Sequence, residues 1–205
     1  MLATTANLKT RLGITDATDD TLLAAILAGV SAQMAIATGR VWRGAPCLDE
    51  TTWNADTPLL LNVPHERSEW LWLPAWPLVS VGSVKESLDK DWGNEDALTE
   101  DDDYTVDYEL GGIHKRYWVR GAQTVQVYAV GGYVAAGGEV GDGQAALPAD
   151  LTEAAYTQAS YVYLHRGNVG VLSASAGGAA VSMAHSGLPL LASVKATCAG
   201  YQRMI

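Results

Sequence analysis

Residues 69–87 read EWLWLPAWPLVSVGSVKES. Pro74 and Pro77 cut this run into two short apolar strands, since proline cannot donate to a ladder and sits at strand ends. Val79 and Val81 alternate, and Val84 breaks the parity after Gly82, which predicts a bulge. Strand signals continue toward the C-terminus. DYTVDYELGGIHKRYWV (103–119) predicts a hairpin turning at Gly111-Gly112, with Tyr104, Val106 and Tyr108 on one face. TVQVYAVGGY (124–133) alternates again, placing Val125, Val127 and Ala129 together. Five or six strands make a small β module, which ends in GGYVAAGGEVGDGQ, read as a flexible run.

Outside this module the period is that of helices. TTANLKTRLGI is a short helix with Gly13 as its stop. A long helix follows over Asp19–Thr38, capped by Thr18, with Asp19 and Asp20 favouring the positive end of its dipole. Leu22, Leu23, Ile26, Leu27, Val30 and Met34 form its apolar stripe, and Gly39 is a left-handed terminator. Helix returns at LPADLTEAAYTQASYVYLHRG (147–167). Asp150 and Glu153 fit a capping box there, and Leu151, Ala155, Ala159 and Val162 form the buried stripe. An Ala/Gly/Ser tract leads to LPLLASVKATCAGYQRMI. In that last segment Leu191, Val194, Cys198, Tyr201 and Ile205 are spaced 3-4-3-4, a narrow seam able to lie against another helix.

The fold expected is α+β: a helical bundle with an inserted small antiparallel β module and a C-terminal extended arm ending in a helix. Its parts are N-terminal helices (1–44), the β module (45–143), a returning helix (144–167), a flexible linker (168–187) and a terminal docking helix (188–205).

Composition narrows function. The chain has 205 residues, a net charge of −10, seven Trp, nine Tyr and no Phe. Its acidity disfavours sequence-independent binding of phosphate backbones. Trp and Tyr are enriched at interfaces. Cys47 and Cys198 form no CxxC pair and read as free thiols. No apolar run reaches membrane-span length, and the N-terminus lacks the basic-then-apolar order of a signal peptide. A soluble protein made in a reducing cytoplasm is expected.

Catalytic motifs are missing. Asp89 and Asp91 lack the remaining spacing of a calcium loop, and Asp101, Asp102 and Asp103 read as a solvated turn before a strand. His65, His114, His165 and His185 form no HxH or HxxxH pair, and neither GxSxG nor a phosphate-loop signature occurs. No enzyme activity, metal or cofactor is expected. Trp70, Trp72 and Trp76 allow a second reading, a β-rich carbohydrate- or receptor-binding module, against the plainer one of sheet core or subunit interface.

The order of these parts resembles the head–tail connector, or adaptor, family of tailed phages and gene-transfer particles. The likeness rests on LKTRLGITDATDDTLLAAILAGVSAQMAIATGR (8–40), LWLPAWPLVSVGSV (71–84), DYTVDYELGGI (103–113), VQVYAVGGY (125–133) and LPADLTEAAYTQASYVYLHRG (147–167). It implies a structural virion protein at the head–tail interface, made in the bacterial host cytoplasm. Its copies would form a dodecameric ring, with the portal protein above and a stopper or tail-completion protein below. DNA would pass through without specific binding, and no membrane is involved. On this resemblance the tract 168–187 is an arm carrying the last helix onto the portal through Leu188, Leu191, Val194, Cys198, Tyr201 and Ile205. Glu95, Asp96, Asp101, Asp102 and Asp103 either face the channel or form an outer rim.

Overall fold

The computed structural model describes residues 1–43, 45–63, 69–93, 96–168, 173–176, 179–182 and 189–202. Its helices are α1 (Thr5–Leu12), α2 (Asp20–Ala37), α3 (Ala149–His165) and α4 (Ala192–Ala199). Its strands are β1 (Val41–Trp42), β2 (Ala45–Pro46), β3 (Thr51–Trp53), β4 (Leu59–Val63), β5 (Trp70–Trp72), β6 (Leu78–Glu86) and β7 (Ala97–Leu98). They continue with β8 (Thr105–Asp107), β9 (Gly112–His114), β10 (Gly121–Gly131), β11 (Tyr133–Val134), β12 (Ala145–Ala146), β13 (Ser173–Ala176) and β14 (Ala179–Ser182). The class is α+β. Two compact units form: Met1–Gly39 with Pro148–Ile205, and Arg40–Leu147.

In the helical unit, α1 ends as its sequence predicts. Gly13 sits at φ 70°, and the amides of Gly13 and Ile14 reach back to the last carbonyls, Ile14 to Lys9 at 3.0 Å. At α2 the cap differs from expectation. Asp19 holds the cap position without capping, because its carboxylate accepts the Tyr163 hydroxyl instead. Asp20, in the first turn, pairs with Lys9 at 2.6 Å. The apolar stripe is also narrower than predicted. Leu23, Leu27, Val30 and Met34 are buried, whereas Leu22 is 40% exposed and Ile26 half-buried.

The capping box at α3 does not form. Glu153 pairs with Arg11, and Asp150 accepts from the Leu151 amide (2.9 Å) and the Tyr201 hydroxyl (2.6 Å). Leu151, Ala155 and Ala159 are buried as expected, Val162 only half so. Gln158 is fully buried, since its amide is used at both ends. It donates to the Pro189 carbonyl (3.2 Å) and accepts from the Leu191 amide (2.8 Å), fixing the approach to α4.

In the second unit, β10 is the central strand. β6 lies on one side and β3 and β4 share the other, with β7 beyond β6. Val125, Val127 and Ala129 all face the core. The bulge at Gly82 is present, because the register jumps from Tyr128↔Ser83 to Ala129↔Val81. A second jump skips Val79, taking Val130↔Ser80 to Gly131↔Leu78. Two bulges therefore put Leu78, Val81 and Val84, spaced by three, against one core, and Val79 does not join Val81 as its alternation suggests.

β5, β9 and β8 form a separate three-stranded sheet. Tyr104 and Val106 join the core, but Tyr108 lies past the end of β8 and is 39% exposed, correcting the expected single face. The run 131–144 is not structureless either. Tyr133 and Val134 pair in parallel with Ala145 and Ala146, and Gln144 accepts from the Gly141 amide at 2.7 Å.

Candidate interaction surfaces

Arg40, where the second unit begins, is buried at 1% exposure. Its guanidinium lies 3.8 Å from the centroid of Trp76 and 4.8 Å from that of Tyr133, and it donates to the Trp76 carbonyl. Such a sandwich meets the cost of burying a cation. Trp76 and Arg40 are thus structural.

Trp70 and Trp72 share the outward face of the β5–β9–β8 sheet, opposite Leu71 and Ile113. Their rings stack on each other at 5.1 Å and 8°, and His114 tilts over Trp70 at 4.9 Å. Gly112 lies beneath. A Cβ there would sit 2.5 Å from Trp72 and 2.9 Å from Trp70. The glycine thus makes room for the indoles. The two indoles stack on each other, and both stay partly exposed.

Asp101, Asp102 and Asp103 are an exposed turn between β7 and β8, with the Asp103 carboxylate accepting the Thr99 amide at 2.8 Å. Asp96 lies on the preceding loop, and Glu95 falls outside the described residues. The Asp89 carboxylate and a hydrogen bond with the Asp96 side chain push Asp91 above the usual carboxylate range. Asp89 itself is held low, chiefly by the Ser87 hydroxyl. Among the described residues no group of three or more His, Cys, Asp or Glu is placed to hold a metal. An open cleft of about 510 Å³ lies between Arg43, Thr52, Trp53, Asp56, Thr57 and Leu60.

Two residues of the expected docking seam, Val194 and Cys198, are used within the chain. Val194 and Cys198 are each 1% exposed, packed in their own helical unit, where α4 meets α2 and α3. Tyr201 bonds Asp150, and the Gln202 amide donates to the Ala37 carbonyl at 2.6 Å, closing the end of α2. The described part of the 168–187 tract pairs as an antiparallel hairpin, Ser173↔Ser182 to Ala176↔Ala179, where a linker is expected. Leu188 and Ile205 lie outside the described residues.

Sequence signals also understated α2. Thr21, Ser31 and Gln33 interrupt its apolar runs, but its mean hydropathy over 18 residues is 1.6, long and apolar enough for a membrane span by length and composition. Only 28% of that helix is buried in the chain.

These features define a two-unit α+β protein. No protein-family model and no curated protein matches the chain. Among solved structures, a chain from the neck of a native GTA particle, computed with C12 symmetry, is similar over 98% of this chain and 88% of that one. The identity is 14% and the TM-score 0.45.

Proposed function

We propose that this chain is a structural subunit of the neck of a phage-like particle, a head–tail connector whose copies form a ring between the portal and the stopper or tail. One observation carries the reading: helices from both ends of the chain make one unit, and the β module is inserted between them in sequence. The motifs that resemble the adaptor family run through both units in that same order. The acidic balance supports a channel role, since a wall of like charge does not retain passing DNA. In this role the Asp101–Asp103 turn lies toward the channel or on the outer rim, and portal contacts come from surfaces other than Val194 and Cys198.

Purified particles test the reading. The chain should be present in many copies at the head–tail junction by antibody labelling and mass spectrometry. Particles lacking its gene should yield filled heads without tails. Normal tailed particles without the chain would overturn it.

A further inference from the structure

The helix α2 has two apolar faces, and among the described residues only one is covered. Leu23, Leu27, Val30 and Met34 pack inward. On the opposite side, Leu22, Ala25, Gly29, Ala32 and Ile36 follow one another at 3-4-3-4 spacing, the seam of a helix that pairs with another. Leu22 and Ile36 are 40% and 69% exposed, and Ala25 and Gly29 are exposed too. From Thr21 to Gly39 no side chain is ionisable, on a chain of net charge −10.

Gly29 is the second clue. Glycine inside a helix is unfavourable by roughly 1 kcal/mol relative to alanine. It needs a reason, and the described residues supply none: a Cβ at Gly29 would meet nothing of theirs within 4 Å. Close approach by another backbone is what a bare position on an exposed seam permits. The seam also reads the same in both directions about Gly29: large, small, glycine, small, large. A two-fold contact requires that each patch complement itself. Laid antiparallel and crossed at Gly29, two copies would set Leu22 of each against Ile36 of the other. The charge-free face is also where two acidic chains meet with least repulsion.

We propose that the outward face of α2 is a self-association surface on which a second copy of this chain lays its own α2 antiparallel, crossing at Gly29. This is a property of the free chain and does not depend on the neck reading. That reading is judged on particles, and either can fail alone.

Sedimentation of the full chain over a wide concentration range should show monomer passing to dimer, with added salt favouring dimer by screening the remaining repulsion. Gly29→Leu should weaken the dimer by about tenfold or more while helicity and Tm hold or rise, because leucine is the better helix former. Gly29→Cys should oxidise readily to a disulfide-linked dimer, since the two-fold axis brings the two positions together. Thr157→Cys, on the exposed side of α3, should not. Cys47 and Cys198 are buried and do not confuse the readout. A wild-type chain that stays monomeric at millimolar concentration overturns the proposal, as does a Gly29→Cys variant no more readily linked than Thr157→Cys. Binding of the monomer to lipid vesicles, abolished by Ile36→Glu, would assign the face to a membrane and also overturn it.

Discussion

Tyr104 shows how one side chain reports its surroundings. Burial, with the charges of Glu100, Asp101 and Asp103 nearby, pushes its phenol up to about 12. The folded value lies above the unfolded one, so the unfolded chain releases this proton first as pH rises. Stability from this group is therefore whole below about pH 10 and is lost as pH rises toward 12. Denaturant midpoints should fall across that window, and Tyr104→Phe should flatten the fall. Gly112 offers a steric counterpart. Gly112→Ala forces a methyl into the Trp70–Trp72 stack and should cost about 1–3 kcal/mol, read by urea unfolding followed through tryptophan fluorescence.

At the scale of elements, α4 is held by packing more than by propensity, for an eight-residue helix is marginal alone. Val194→Ala should destabilise the helical unit by about 2 kcal/mol, two methyl groups' worth of burial plus the cavity left. The same change should speed reaction of Cys198 with a thiol reagent, since burial both hides this thiol and pushes its ionisation up. Gln158→Leu removes both bonds to the 189–191 segment, whose Pro189 carbonyl and Leu191 amide are partly wetted, and should cost about 1 kcal/mol. Removing 188–205 should thus weaken the fold itself, which a segment serving only as an external arm would not do.

For the whole molecule, the two units differ in how their chain is supplied. The β unit draws its core from one continuous segment, Cys47 to Ala129. A fragment of residues 40–147 should fold by itself, seen as dispersed amide resonances and a cooperative thermal transition. The helical unit joins α1 and α2 to α3 and α4 from the far end of the chain. A 1–39 fragment should therefore remain unfolded, because α2 would lose Tyr163, Gln202 and the α3 surface at once.

Local patterns sufficed for the class and for much of the interior. The Gly13 and Gly39 stops, the Gly82 bulge, the inward Val125, Val127 and Ala129, and helices flanking strands all follow from backbone preference and period, which neighbouring residues determine. The partners of those patterns did not follow. That Asp150 and Glu153 serve Tyr201 and Arg11 rather than a capping box depends on side chains far away in sequence. So does the burial of Val194 and Cys198 of α4 in their own unit, where a seam by itself specifies an apolar partner but not whose. Equally, six apolar positions on α2 could not reveal that four turn inward and that Leu22, with Ile36, faces out. Hydrophobic spacing fixes which residues share a face. Only the packed chain decides which face is covered, because coverage is a property of the elements brought against it.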